Sequence, residues 1–204
     1  MKDHLDMFIE TAHRLKSSGL VSDGVNKGSI SYRIDDDHIL ISPSKISYDD
    51  LSENNTNIMN INGDLVEHNA PISRDYYFHL EIYRKRLDVK AIIHTHSKYA
   101  TALCLANKKI PFILYGMKFH CGGEVDIAPF AFPNSTECNK SIIDHLADRK
   151  AVLLQNHGLI CVGEDLINCF ETTEFVEALS ESYIHALSIG SVYEIEKWKE
   201  VNYG

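Results

Sequence analysis

The chain has 204 residues, 44% of them hydrophobic, enough to bury the core of one large globular domain. With 29 acidic against 20 basic residues the net charge is −9, which argues against nucleic acid or an anionic membrane as the main partner. It does not argue against a small anionic substrate held in a locally basic pocket. No stretch approaches the roughly 20 apolar residues that a membrane helix needs, and Met1-Lys2-Asp3-His4-Leu5-Asp6 lacks the apolar core expected of a secretory signal. The five cysteines, Cys104, Cys121, Cys138, Cys161 and Cys169, are odd in number and form no C-x-x-C pair. No disulfide framework is expected, and a reducing cytoplasm is the predicted location.

In chain order, residues 3–18 carry Leu5, Phe8, Ile9, Ala12 and Leu15 at helical spacing, with Gly19 as a stop. A Gly/Ser/Asn/Asp-rich loop from Ser22 to Gly28 follows. Residues 29–34 alternate like a strand, residues 35–37 are an acidic turn, and residues 38–42 are the return strand of a hairpin. Asn62-Gly63 predicts a second hairpin within residues 58–67. Residues 77–86 have the pattern of a helix of about three turns. A strand then enters through Val89, Ala91, Ile92 and Ile93, a helix spans residues 98–106, and residues 110–115 are strand-like. Residues 125–128 resume briefly as a strand before Pro129. Residues 136–148 are predicted helical, residues 150–155 and 159–163 form two buried strands, and residues 166–188 form the longest helix. No repeat, low-complexity segment or linker interrupts this order, so a single domain over 1–204 is expected.

Chemistry concentrates first at His94-Thr95-His96. On a strand, residues i and i+2 share a face with Cα atoms about 6.6 Å apart. Two imidazoles placed so can tilt onto one metal ion, or can simply be hydrogen-bonded histidines on an edge strand. His157 lies in Gln155-Asn156-His157-Gly158, a polar break between two apolar strands, where a tight turn or bulge is expected. If that hairpin lies beside the first strand, His157 completes a three-histidine site with an open position, the arrangement of a catalytic zinc. Otherwise it fills a turn.

Asp75 precedes a helix and serves either as its cap or as a general base beside a metal. Lys45 and Arg74 stand in the Ser-rich loops Ser42-Pro43-Ser44-Lys45 and Ser73-Arg74. With the loop amides after Gly28 and the Ser29 hydroxyl they can cradle an anion such as phosphate, or be ordinary solvated charges.

The order His94-Thr95-His96-Ser97, then Gly122-Gly123, then Leu153-Leu154-Gln155-Asn156-His157-Gly158-Leu159-Ile160 resembles the class II aldolase/adducin family, L-fuculose-phosphate-aldolase type. Further points of similarity are Gly28-Ser29-Ile30-Ser31, Ile41-Ser42-Pro43-Ser44-Lys45, Phe78-His79-Leu80-Glu81-Ile82-Tyr83 and Ala128-Pro129-Phe130. The resemblance implies an α/β fold, a three-layer α/β/α domain around a mainly antiparallel sheet. It also implies a homotetramer with active sites between neighbouring subunits. His94, His96 and His157 become ligands of one zinc ion per subunit. Gly28, Ser29, Ser44, Lys45, Ser73 and Arg74 line a phosphate site. Tyr115 becomes a proton donor in the adjacent subunit's site, and Tyr203 a tail residue closing over the site.

The implied activity is zinc-dependent cleavage of a ketose 1-phosphate, through an enediolate, into dihydroxyacetone phosphate and an aldehyde. Asp75 stands where the family's aldolases carry Glu, as it does in the ribulose-phosphate 4-epimerases. Those enzymes carry an acid after the Ile-Pro strand, however, and residues 115–120 here have none. Lys45 replaces a Gly, and Arg74 the usual second Ser of the phosphate loop. Epimerisation, dehydration of the methylthioribulose-phosphate type and an adducin-like structural module are the alternatives.

Overall fold

The computed structural model describes residues 1–22 and 28–196. Helix α1 (Lys2–Ser17) turns Leu5, Phe8, Ala12 and Leu15 inward at helical spacing, and Gly19 ends it at φ 75°. The hairpin β1 (Ser29–Arg33) and β2 (His38–Ile41) follows, then β3 (Asn57–Asn60) and β4 (Leu65–Glu67). Helix α2 (Tyr76–Lys85), strand β5 (Ala91–Thr95) and helices α3 (Lys98–Leu105) and α4 (Met117–His120) lead to β6 (Asp126–Ala128). Helix α5 (Thr136–Leu146), strands β7 (Ala151–Leu154) and β8 (Gly158–Gly163), and helix α6 (Leu166–Ile189) complete the described fold.

The eight strands form one sheet in the order β4-β3-β2-β1-β5-β8-β7-β6. Every pairing is antiparallel except β6 with β7. Because side chains alternate along a strand, β5 sends Ala91 and Ile93 to one face and Ile92 to the other. The first face packs under α1, α3 and α6 with Phe8, Leu103, Cys161 and Phe170. The second packs under α2 and α5 with Phe78, Ile82, Leu146, Ile160 and Val162. This is the three-layer α/β/α arrangement that the resemblance implies. A strand covered on both faces is apolar throughout, which is why the run before His94 lacks polar alternation. Truncating a buried side chain such as Ile92 to Ala costs about 2–5 kcal/mol.

One difference from the sequence reading has a plain cause. The strand expected over residues 110–115 is a single bridge between Ile110 and Val125. Pro111 cannot donate to a ladder, so pairing stops there and the chain turns into the short α4. The polar Thr173 and Ser180 sit buried on α6 because their hydroxyls donate back to the carbonyls of Cys169 and Val176, both at 2.7 Å. No helix among the described residues is long and apolar enough to cross a membrane.

Candidate active site

Strand β5 lies between β1 and β8, and this placement brings the distant histidine segments together. His94 pairs across the sheet with Ser29 on one side and with Ile160 on the other. The β7–β8 turn holds His157. Asn156 takes a left-handed backbone (φ 58°), a conformation that Asn tolerates, and the His157 amide donates to the Leu154 carbonyl at 3.0 Å to close the turn. The Gln155 amide donates to Ala128 and its side-chain oxygen accepts from Phe130, so the turn is also tied to β6.

The three imidazoles converge. Ring centroids lie 4.6 Å apart for His94 and His96, 4.7 Å for His94 and His157, and 5.1 Å for His96 and His157. One ligand atom from each falls within 4.8 Å of the others. The Nε2 atoms of His94 and His96 face each other at 3.1 Å. Two nitrogens bound to one tetrahedral ion at about 2.0–2.1 Å lie about 3.3 Å apart, so His94 and His96 already stand at the spacing of two ligands of one divalent metal, with His157 close enough to be the third. His94 Nδ1 lies 2.9 Å from the Leu159 carbonyl. Donating there leaves Nε2 to face the shared centre, the outer support that metal-binding histidines ordinarily have. Burial, then the neighbouring His157 and His96, push His94 well below the ordinary histidine range; burial, then His96, lower His157 from its ordinary value. Both rings are thus neutral and able to ligate.

Two residues outside the predicted site set shape this cluster. A Cβ on Gly158 would collide with the Thr95 carbonyl and lie 2.8 Å from His96 Cδ2. Glu177, on α6, accepts hydrogen bonds from the Ser97 hydroxyl at 2.7 Å and from the Tyr99 and Ala100 amides at 2.8 and 2.9 Å. It caps α3 from another helix and pins the chain immediately after His96. Gly158 follows the turn histidine in a visible motif, but Glu177 is brought in from about 80 residues away and only the fold shows it.

Asp75 is the N-cap residue of α2, without a capping bond from its side chain. Its Oδ2 instead accepts from Ser73 at 3.2 Å and lies 3.3 Å from the Ser29 hydroxyl. Since Ser29 pairs with His94, the carboxylate stands on the metal-binding side. Ser29 is fully buried, its hydroxyl also 2.8 Å from His79 Nε2. The remaining predicted anion-binding residues gather from two adjoining loops. Pro43 bridges Ile72, and the Ser44 amide donates to the Pro71 carbonyl at 2.7 Å. Lys45 and Arg74 are both exposed along this junction, and Lys45 holds a left-handed backbone at φ 62°. Gly28 leads into β1 with φ 81°, and a Cβ there would overlap the His94 carbonyl. Tyr115 is 51% exposed and meets Phe119 edge to face at 5.4 Å. Tyr203 lies outside the described residues.

Residues 7–184 match the family model described as "Class II Aldolase and Adducin N-terminal domain". The chain is a member of the class II aldolase and adducin family. Among its relatives is a 5-deoxy-D-ribulose 1-phosphate aldolase from Bacillus thuringiensis, 31% identical over 175 residues, covering 84% of this chain and 82% of the relative. Another is a 3-oxo-tetronate 4-phosphate decarboxylase from Haemophilus influenzae, 32% identical over 163 residues and covering 76% of each chain. A solved structure of an L-fuculose 1-phosphate aldolase superposes with a TM-score of 0.90 at 30% identity, covering 98% of this chain and 93% of that one. The chain is a metal-dependent lyase, in keeping with its family and with the convergence of its three histidines.

Proposed function

We propose that this chain is a zinc-dependent aldolase that interconverts a ketose 1-phosphate, of the fuculose-phosphate type, with dihydroxyacetone phosphate and an aldehyde. The observation that carries the reading is the approach of three imidazoles to one centre, with the Asp75 carboxylate joined through Ser29 to the strand that bears His94. His94, His96 and His157 would hold one zinc ion per subunit. Bound there, zinc supplies Lewis-acid stabilisation of the negative charge that develops on the substrate's carbonyl and hydroxyl oxygens.

Written as condensation, Asp75 takes a proton from the hydroxymethyl carbon of dihydroxyacetone phosphate. The electron pair left on that carbon forms the new carbon–carbon bond to the aldehyde carbon, and the aldehyde oxygen receives a proton from the Tyr115 hydroxyl. Solvent returns a proton to Tyr115 and removes one from Asp75; cleavage is the reverse. The phosphate is assigned to the cradle of Gly28, Ser29, Ser44, Lys45, Ser73 and Arg74, the two cations giving a local positive field in a chain of net charge −9. Tyr115 acts from the neighbouring subunit of a homotetramer, a role supported by its exposure beside Phe119 on the single subunit. Tyr203 closes over the site. The five cysteines are all free thiols, which supports a cytoplasmic setting.

Asp75 supports a second reading. Its side chain is one methylene shorter than Glu, and a shift of about 1 Å can cost on the order of 100-fold in rate. The same centre could then serve epimerisation, decarboxylation or dehydration of a related sugar phosphate. Incubating the zinc-loaded protein with a panel of ketose phosphates separates these. Release of dihydroxyacetone phosphate together with an aldehyde supports the aldolase; an epimer, carbon dioxide or a dehydrated ketone as sole product rejects it.

A further inference from the structure

Behind Asp75 a buried line of hydrogen-bonding groups starts at Ser29 and runs through His79, Ser31 and Tyr83, three residues to which the proposed reaction gives no role. Ser29 Oγ lies 2.8 Å from His79 Nε2, His79 Nδ1 lies 2.6 Å from Ser31 Oγ, and Ser31 Oγ lies 2.8 Å from the Tyr83 hydroxyl. Tyr83 also lies 3.3 Å from the Lys90 carbonyl. Ser29, Ser31, His79 and Tyr83 are fully buried. Burial pushes His79 down to about 3, so its ring is neutral and carries a single hydrogen.

Each hydroxyl and the neutral ring has one hydrogen to give, so the line has only two fully bonded directions. In one, Ser29 donates to His79 Nε2, Nδ1–H donates to Ser31, Ser31 to Tyr83, and Tyr83 to the Lys90 carbonyl. That leaves the Ser29 oxygen lone pairs facing the Asp75 carboxylate. In the other, Tyr83 donates to Ser31, Ser31 to Nδ1, Nε2–H to Ser29, and Ser29 to Asp75. The Lys90 carbonyl does not need the first direction, because it already accepts from the Arg33 amide at 2.7 Å. The carboxylate gains from the second, since a hydrogen bond to an ionised acceptor is about twice as strong as one between neutral groups.

We propose that His79, held as its Nε2–H tautomer by Ser31 and Tyr83, is a positioning residue that makes the Ser29 hydroxyl a one-way donor to Asp75 and so fixes the aim of that carboxylate. The kinetic part of this assignment rests on Asp75 being the proton-transferring group of the proposed function; the tautomer does not.

The test uses zinc-loaded protein labelled with 15N-histidine. Long-range proton–nitrogen correlation reports which ring nitrogen of His79 bears the hydrogen, with the resonance assigned by its loss in His79→Gln or its shift in Ser31→Ala. The expected result is a bare Nδ1 and a protonated Nε2, with Nδ1–H growing in when Ser31→Ala removes its donor. Turnover of a cleaved ketose phosphate is expected to fall about tenfold in kcat in Ser31→Ala, the scale of one charge-assisted hydrogen bond, with KM unchanged. Tyr83→Phe, which keeps the ring, is expected to fall less and in the same direction. A His79 protonated on Nδ1 in the unsubstituted protein overturns the proposal, whether or not any substrate is found. So do Ser31→Ala and Tyr83→Phe proteins that melt earlier but keep full kcat. Failure to find aldolase turnover counts against the reaction alone, because the ring assignment still decides the direction of the line.

Discussion

Gly158 and His96 share one small volume: the glycine lies where a Cβ would stand 2.8 Å from the imidazole's Cδ2 and collide with the Thr95 carbonyl. The close approach of β8 to β5 thus depends on an absent side chain, and so does the inward tilt of His96. Gly158→Ala is expected to weaken zinc binding by about 10- to 100-fold, the usual scale for disturbing the support of a metal ligand. Competition with a chromogenic chelator measures it. An unchanged affinity would mean that the two strands can part without moving the ring.

Glu177 satisfies two amides at the start of α3 and the Ser97 hydroxyl. Glu177→Ala leaves these donors without their acceptor and is expected to cost about 1–3 kcal/mol of stability, measured by urea unfolding. Zinc affinity should fall as well, because His96 immediately precedes the capped turn. Glu177→Gln, which keeps one acceptor oxygen, should recover part of both losses.

Lys45 carries a side chain where the left-handed backbone favours glycine. Lys45→Gly should therefore stabilise the fold by about 1 kcal/mol. If the cation also binds the substrate's phosphate, the same change raises KM while leaving kcat nearly intact. A more stable protein with unaltered KM would remove Lys45 from the anion site.

The pH dependence of folding has a definite sign. Burial holds His79 at about 3 against an ordinary 6.5, and His94 and His157 are lowered too. Between these limits the unfolded chain binds more protons than the folded one, so stability rises with pH. The metal-free protein should have its full histidine-derived stability above pH 6.5 and lose it progressively below, by about 1.4 kcal/mol per pH unit for each buried ring while it stays neutral. Urea titrations at pH 7, 6 and 5 check this; a flat profile would contradict the burial of His79.

Much of this organisation was legible in the sequence. Continuous apolar runs place β5 and the β7–β8 pair, and 3.6-residue spacing places α6, to within a few residues; that β5 is central and covered on both faces, not an edge strand, comes from the fold. His94 and His96 announce themselves by spacing. His157 needed the fold, since spacing along the chain does not say that β8 pairs with β5. Lys45 and Arg74 sit in loops whose adjacency comes from one bridge, Pro43 to Ile72. The pairing of Ser29 and His79, and the reach of Glu177 to α3, are long-range contacts between polar residues with no periodic signature. Residues 110–115 carry the apolar run of a strand, but Pro111 has no amide hydrogen for a ladder, and pairing ends at the Ile110–Val125 bridge.

The proposed reaction requires His94, His96 and His157 to ligate one zinc ion together. X-ray absorption at the zinc edge, on protein loaded with one equivalent, reads this directly. Three nitrogen ligands at about 2.0–2.1 Å are expected, with a changed shell and loss of tight binding in His157→Ala. Zinc held with equal affinity and an unchanged shell in His157→Ala would contradict that requirement.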